Sequence, residues 1–266
     1  MKRTIIFSDI DGTFLDKNYK IVFDREFLNS ITEEFRIVFV SSRTADEIVH
    51  LLDLLGWKED FIAENGAVLG FRDIPEKIKS DYRTEHFRDY FIVKTGIDTK
   101  EIIAIVENIL TGLKIKAVIV NKLSPEQAGV LSGYDVESAK RSLDRKATVL
   151  IKIESENDMK DFEKGTEKTG LSMNFGGKWL SVGTGMNKGE AIEYYIKLMN
   201  INDEETAGIG NSDNDLSLLN SVSKKFIIND NGYNEKLTTI ENTVRLKSAG
   251  VKGWTEMITI LSSDHS

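Results

Sequence analysis

Cysteine is absent from the 266-residue chain, and histidine occurs only three times, at widely separated positions. The first absence excludes disulfides, thiolate metal sites and cysteine nucleophiles. The scarcity of histidine argues against a histidine-rich zinc site. Carboxylates, hydroxyls, lysine and arginine must therefore carry any chemistry.

Long hydrophobic runs are also missing: no run approaches the roughly 18–20 apolar residues of a membrane helix. The first apolar run, from Ile5 to Phe7, is shorter than the about 7–15 residues of a signal-peptide core. A net charge of −8 and a pI near 5.1 argue against a nucleic-acid partner bound by charge alone. We therefore expect a cytoplasmic protein with neither membrane nor nucleic acid as a partner.

Strand-like and helix-like segments alternate at both ends of the chain. Apolar runs predict buried strands that each end in small or polar residues: 4–8, 36–41, 61–63, 206–210 and 225–228. Apolar spacing and capping signals predict the intervening helices: 24–34, 44–56, 188–199 and 213–220. This alternation predicts an α/β fold with a doubly wound, parallel, Rossmann-like sheet and a site along its carboxyl edge.

The middle of the chain follows a different pattern. It contains predicted helices at 100–110 and 156–168 and strand-like segments at 115–121, 147–153 and 171–175. No acidic pair or glycine-rich phosphate loop occurs there. We therefore predict an inserted α+β domain at 81–181, with 1–80 and 182–266 forming one discontinuous core domain.

The sharpest chemical signal is the pair Asp9 and Asp11, at the end of the first predicted strand. Residues i and i+2 of a strand face the same way, so both carboxylates can address one site. Gly12 permits an unusual turn directly after them. The pair suits a hard cation such as Mg²⁺ and a carboxylate nucleophile, although an isolated D-x-D also fits a solvated strand end.

Three further positions carry polar groups at predicted strand or helix ends. Ser41 ends the second strand, where its hydroxyl either donates to a phosphoryl oxygen or caps the next helix. Lys188 opens a helix, where a cation is electrostatically unfavourable unless an anion lies beside it; the alternative is a solvated side chain. The oxygen-rich loop 211–215 either completes a metal shell or caps the following helix.

Four motifs occur in the order found in the haloacid dehalogenase-like phosphohydrolases, which the chain resembles: D-x-D-G-T-F-L, V-S-S-R-T, N-K-G and G-N-S-D-N-D-L-x-L-L. The insert between the second and third resembles the α+β cap of the sugar-phosphatase branch. Further segments resemble the mannosyl-3-phosphoglycerate phosphatases, with sucrose-phosphate phosphatases more distant: S-S-R-T-A-D-E-I, A-E-N-G-A, A-K-R-S-L-D-R, G-G-K-W-L-S-V and G-V-K-G-W.

The resemblance implies a Mg²⁺-dependent phosphomonoester hydrolase that acts through an aspartyl phosphate, with mannosyl-3-phosphoglycerate as the leading substrate. Asp9 is the implied nucleophile, and Asp11 the implied general acid and base. Ser41 and Lys188 would hold the transferring phosphoryl group. The implied Mg²⁺ ligands are the Asp9 side chain, the Asp11 backbone carbonyl and the loop residues Asn211, Asn214 and Asp215.

The last motif departs from the family pattern, which usually begins Gly-Asp where this chain has Gly210 and Asn211. An asparagine can ligate Mg²⁺ through its carbonyl oxygen but contributes no charge. Asp215, or else Asp213, would then supply the missing negative charge.

Substrate contacts are expected from both domains. A phosphoglycerate ester carries a carboxylate beside its phosphate, so the cap should present cations, unless these cations form a solvated face. Glu64 and Asn65 at a strand end either bind sugar hydroxyls or form a turn. The expected substrate-binding residues are Thr13, Ser42, Arg43, Glu64, Asn65, Arg141, Arg145 and Lys178.

Alternatives remain open at this point. The substrate could be another small phosphorylated sugar, such as sucrose phosphate or a hexose phosphate. A phosphomutase would use the same first motif. A non-catalytic binding protein that retains the fold is favoured only by Asn211.

Overall fold

The protein, described here by a computed structural model, is defined over residues 4–15, 25–74, 84–176, 179–202, 205–229 and 233–263. The strands of these ranges are β1 (Ile5–Ser8), β2 (Arg36–Val40), β3 (Phe61–Ala63), β4 (Val68–Phe71), β5 (Thr84–Phe87), β6 (Tyr90–Lys94), β7 (Ala117–Ile119), β8 (Thr148–Ile153), β9 (Ser172–Gly176), β10 (Trp179–Gly183), β11 (Thr206–Gly210), β12 (Lys224–Ile227) and β13 (Thr243–Arg245).

The helices are α1 (Arg25–Glu34), α2 (Ala45–Leu55), α3 (Thr99–Leu113), α4 (Pro125–Ser132), α5 (Val136–Leu143), α6 (Glu156–Thr166), α7 (Lys188–Met199), α8 (Leu216–Asn220) and α9 (Gly250–Ser263). No helix in the described ranges has the length and apolar character needed to cross a membrane.

The larger sheet has nine strands in the order β13-β12-β11-β1-β2-β3-β4-β6-β5. Its first six strands are parallel. Successive residues of β2 pack into different apolar clusters, with Ile37 and Phe39 against α1, α2 and α9, and Val38 and Val40 against α7 and α8. A strand buried on both faces requires a continuous apolar run, and the doubly wound parallel sheet is confirmed.

An antiparallel extension completes this sheet. β4 turns back beside β3 and pairs with β6, with Val68 opposite Lys94 and Phe71 opposite Phe91. Residues 84–94 therefore belong to the large sheet, although the sequence prediction assigned them to the insert. We propose that the inserted domain begins after Lys94.

The second sheet is antiparallel, in the order β7-β8-β10-β9. One face packs against α3 and α6 around Val106, Val149 and Phe162. A smaller cluster under α4 and α5 centres on Ala128 and Ala139. Sequence patterns did not predict α4, α5 or β10.

Two linkers join this cap to the core, and they lie side by side. The Thr95 hydroxyl donates to the Gly66 carbonyl at 3.1 Å, and the Ile97 amide donates to the Thr184 hydroxyl at 3.0 Å. The chain therefore enters and leaves the cap at neighbouring points.

A buried carboxylate ties the end of the sheet opposite the polar loops. Asp60, just before β3, accepts hydrogen bonds from the Tyr195 hydroxyl at 2.7 Å, from the Arg72 amide at 2.8 Å and from the Arg36 guanidinium. These contacts connect β2, β4 and α7. Burial of Asp60 is tolerable because each donor compensates for lost hydration.

We expect Asp60→Ala to lower the free energy of unfolding by about 3 kcal/mol, because it leaves a buried hydroxyl and a guanidinium without their acceptor. Tyr195→Phe removes one hydrogen bond and should cost about 1 kcal/mol. Urea unfolding measures both. Equal losses for the two variants would contradict a central role for the carboxylate.

Candidate active site

Polar groups from four parallel strands meet at the carboxyl edge of the large sheet. Asp9 follows β1, Ser41 follows β2, Glu64 follows β3 and Asn211 follows β11. β1 lies between β2 and β11, so Asp9 occupies the middle of this edge. Parallel α/β sheets place ligands at this edge.

The centre of the site is a buried lysine shared by two carboxylates. The Lys188 Nζ lies 2.7 Å from Asp9 Oδ1 and 2.7 Å from Asp215 Oδ1. Their side chains are 1%, 6% and 0% exposed, respectively. The solvated-lysine alternative is therefore wrong: protein carboxylates offset the charge at the start of α7.

Local backbone contacts hold these three residues in place. The Asp9 amide donates to Ile209 in β11 at 3.1 Å, and the Asn187 side chain caps α7. The second oxygen of Asp215 accepts from the amides of Asn211 and Ser212, each at 3.0 Å. Asp215 therefore organises the 211–215 loop as well as binding Lys188.

The buried cluster contains two carboxylates, Asp9 and Asp215, but only one ammonium group, that of Lys188. Burial, the Asp215 charge and the nearby Asp11 charge raise the pKa of Asp9 to about 7, although Lys188 opposes the shift. Burial alone would lower the pKa of Lys188, but the charges of Asp215 and Asp9 raise it. A cation beside Asp9 would favour its ionised form.

The turn after Asp11 approaches the last motif closely. Gly12 has a φ of +79°, which favours glycine, and a Cβ there would lie 2.4 Å from the Asn211 Nδ2, so a larger residue would displace the Asn211 side chain. The Thr13 hydroxyl donates to the Asn211 Oδ1 at 3.2 Å. The first and last motifs are thus in direct contact.

Asp11 is paired with an arginine of the second motif. The Arg43 Nη2 lies 2.6 Å from Asp11 Oδ1, and the Arg43 Nε lies 3.0 Å from Asp11 Oδ2. Such bidentate contacts fix the orientation of both groups. Arg43, predicted to bind substrate, therefore also orients the second aspartate.

The oxygen atoms around Asp9 meet the requirements of a hydrated divalent cation. Among the described residues, no three histidine or acidic side chains form a metal cage. Mg²⁺ does not require one, because it keeps several waters and binds through one or two carboxylates. Within the described ranges only Lys188 donates to the Asp9 side chain, and it engages one of the two oxygens. This arrangement fits Mg²⁺ at Asp9.

Asp215 and Asn214, both predicted as Mg²⁺ ligands, already bind protein groups through their oxygens. Both carboxylate oxygens of Asp215 already accept protein hydrogen bonds, and the Asn214 Oδ1 accepts from the Ser212 hydroxyl. Ligation by either side chain would cost these bonds. The Asn211 Oδ1 likewise accepts one hydrogen bond, from the Thr13 hydroxyl, but its side chain lies against Gly12 in the turn after Asp11, so Asn211 remains the candidate ligand of this loop.

The loop after β2 contacts the loop after β3. The buried Ser41 Oγ accepts from the Arg43 amide at 3.2 Å, and the Ser41 carbonyl accepts from the Asn65 amide at 2.9 Å. Asn65 is buried in the left-handed region, with a φ of +58°, and within the described chain its Oδ1 has no hydrogen-bond partner. A strained, unsatisfied amide beside Ser41 is compatible with the predicted substrate contact.

Glu64 binds the cap rather than facing the site. Its fully buried carboxylate accepts from the Lys146 amide at 2.7 Å, the Ala147 amide at 3.1 Å and the Thr148 hydroxyl. With both oxygens engaged, it has no place for the expected sugar hydroxyls. This contact could not be predicted from the sequence, because every residue type offers the same backbone amide.

Two other contacts join the cap to the β2 loop. The Arg145 Nη2 donates to the Ser42 carbonyl at 3.2 Å, and the Thr44 hydroxyl donates to the Arg141 carbonyl at 2.9 Å. Arg145, expected to read the substrate, thus holds the cap to the core. Lys178 lies outside the described residues.

A cavity of about 250 Å³ lies beside the Asp11–Arg43 pair, between α2 and α5. Sequence reasoning missed most of its polar lining. Glu47 and His50 are three positions apart on α2, the spacing of one helix face, which is a signal that was available, and Arg43 lies just before the helix. The cap side is formed by Tyr134, Ser138 and Arg141.

Comparisons with known proteins agree with this geometry. The model of the haloacid dehalogenase-like hydrolase family matches residues 6–237. A glucosyl-3-phosphoglycerate/mannosyl-3-phosphoglycerate phosphatase from Persephonella marina is 30% identical over 96% of this chain and 95% of its own. A phosphatase of the same name from Methanococcoides burtonii is 26% identical over 96% and 95%. A Thermoplasma acidophilum crystal structure shares the fold, with a TM-score of 0.70, 14% identity and coverage of 98% and 99%.

We expect Glu64→Gln to lower the free energy of unfolding by about 2 kcal/mol or more, because its amide nitrogen must face a buried donor. Glu33→Gln changes an exposed glutamate of α1 and should stay within about 0.5 kcal/mol of the parent. Chemical denaturation measures both. A Glu64→Gln protein as stable as Glu33→Gln would show that the Glu64 contact contributes little.

Proposed function

Because the chain belongs to the haloacid dehalogenase-like hydrolase family, we propose that it is a phosphatase of glycosyl-3-phosphoglycerates, with mannosyl-3-phosphoglycerate as the leading substrate. The buried Asp9–Lys188–Asp215 cluster at the centre of the sheet edge carries the proposal. The names of the two phosphatase relatives supply the substrate class.

Asp9 is the proposed nucleophile. Its carboxylate oxygen attacks phosphorus, the bond to the substrate's alcohol oxygen breaks, and an aspartyl phosphate forms. Lys188 holds the Asp9 carboxylate through a 2.7 Å contact and supplies positive charge next to the transferring group. Ser41, buried at the end of β2, supplies a hydroxyl at the same edge. These groups orient the phosphoryl group and stabilise its charge.

Asp11 is the proposed general acid and base. It protonates the departing alcohol oxygen and later takes a proton from the water that hydrolyses the aspartyl phosphate. Arg43 holds the Asp11 carboxylate from the side of the cavity. This bidentate contact fixes the orientation of the Asp11 carboxylate.

Mg²⁺ is the proposed cofactor, held by the Asp9 side chain, the Asp11 carbonyl and Asn211. When bound, it would neutralise part of the repulsion between the Asp9 carboxylate and the phosphate dianion. Asn211 adds an oxygen but no charge. The cap contacts the loops after β3 and β2 at this edge of the sheet, through Glu64 and Arg145.

Phosphate release should be measured with mannosyl- and glucosyl-3-phosphoglycerate, sucrose phosphate and hexose phosphates, with Mg²⁺ and with excess chelator. We expect Mg²⁺-dependent release, fastest from the phosphoglycerate esters. Asp9→Asn should abolish it, because an amide is a poor nucleophile. Asp9→Asn activity within tenfold of the parent would overturn the mechanism, and isomerisation without release would indicate a mutase.

We expect Asn211→Asp to tighten Mg²⁺ binding, because a carboxylate adds a charge to the ligand set. Calorimetric titration of Mg²⁺ into both proteins measures the change directly. Asp213→Asn, at an exposed residue of the same loop, provides a control for loop charge. Unchanged Mg²⁺ affinity in Asn211→Asp would mean that residue 211 is not a ligand.

A further inference from the structure

We propose that the cavity between α2 and α5 binds the carboxylate of the substrate's leaving group and that Arg141 recognises it. The inference rests on the proposed function for the identity of the substrate. It assigns specificity to one of the three cap cations expected from the sequence, and it adds Tyr134, Ser138 and His50 to the substrate site.

The cavity has one wall from each domain. Arg43, Glu47 and His50 form the core wall with the leucines of α2, and Tyr134, Ser138 and Arg141 form the cap wall. Its volume of about 250 Å³ is just below the usual range of small-ligand pockets, about 300–1,000 Å³. A small organic acid suits this size if its carboxylate meets Arg141 and its carbon atoms lie against the leucines, which make the lining mainly apolar.

Arg141 contributes a positive charge to this cavity, whose opposite wall holds the Glu47 carboxylate, itself bound to the Thr44 amide. Hydrogen bonds from Ser138, and to a lesser degree the charge of Arg141, lower the pKa of the exposed Asp135. The Arg141 Nη2 donates to the Ser138 hydroxyl at 3.1 Å, and in the described part of the chain no carboxylate lies within ion-pair distance of it. Arg43 on the opposite wall is bound by Asp11. A half-buried guanidinium with only a hydroxyl partner retains donors for a carboxylate, which it binds in a planar, bidentate manner.

The cavity lies on the leaving-group side of the reaction. Arg43 lines it and also binds Asp11, the residue proposed to protonate the departing oxygen. In a 3-phosphoglycerate the carboxylate carbon is two carbons from the one that bears this oxygen. A leaving oxygen at Asp11 therefore keeps the carboxylate within two carbon–carbon bonds of the Asp11–Arg43 pair, and Arg43 borders the cavity.

The position of Arg141 is coupled to the phosphate-binding edge. Its carbonyl accepts from the Thr44 hydroxyl at 2.9 Å, and Thr44 begins the helix that follows the Ser41 loop. Arg145 instead donates from both terminal nitrogens, to the Thr148 hydroxyl and the Ser42 carbonyl, and only its buried Nε lacks a partner among the described residues. These contacts distinguish Arg141, which faces the cavity, from Arg145, which holds the cap to the core.

The test measures equilibrium binding of 3-phosphoglycerate and of glycerol 3-phosphate, which lacks the carboxylate, by calorimetry with Mg²⁺ present. The proteins are the parent, Arg141→Gln and Lys140→Ala, which removes one charge from an exposed position of the same helix. We expect the parent to prefer 3-phosphoglycerate. Arg141→Gln should reduce that preference about tenfold or more, as for a lost hydrogen bond to a charged group. Lys140→Ala should retain it.

Equal affinity of the parent for the two ligands would overturn the proposal, as would equal loss of preference in both variants, which would indicate general electrostatic attraction. Equal weakening of both ligands by Arg141→Gln would place Arg141 in the phosphate site. These measurements do not need turnover. If phosphoglycerate esters are not hydrolysed but the preference depends on Arg141, the proposed function fails while the carboxylate site stands.

Discussion

The rest of the site depends on one buried ammonium group shared by two carboxylates. Lys188 joins the end of β1 to the loop after β11 through Asp9 and Asp215. Removing a buried ion-pair partner leaves an uncompensated charge that costs roughly 3–5 kcal/mol. The three residues therefore hold one another in position. The Asp215 carboxylate also positions the loop after β11, because it accepts a hydrogen bond from the Asn211 amide. Catalytic geometry and local stability have the same origin.

Much of the core was predictable because its strands are buried on both faces and read as continuous apolar runs, as in 36–41. The boundary of the insert was harder to predict. β5 is mostly exposed, so the Thr84–Phe87 segment lacks the apolar run that marks a central strand. α4 and α5 have only eight residues each, too few for a clear helical period. Pairing partners, which decide where β5 and β6 belong, are not encoded locally.

The site was predictable where chemistry requires a particular side chain and not where the backbone supplies the contact. Their motifs single out Asp9, Asp11 and Lys188 as candidate site residues, and the structure brings Asp9 and Lys188 together. Glu64 was assigned to substrate, but its acceptors meet the amides of Lys146 and Ala147, about eighty positions away. Arg141 and Arg145 were equivalent in sequence. Three-dimensional neighbours alone distinguish a guanidinium with protein acceptors from one that faces a cavity.

The adjacent linkers at Ile97 and Thr184 have a consequence for how such enzymes diversify. The two ends of the inserted segment are one hydrogen bond apart, about the span of an ordinary tight turn. A core whose two insertion points lie this close together accepts inserts of different length at little cost in chain entropy. Exchange of whole caps between related genes would leave the Asp9–Lys188–Asp215 centre intact while replacing the cavity wall that carries Arg141. New substrate ranges could then arise by recombination rather than by gradual remodelling of the chemistry.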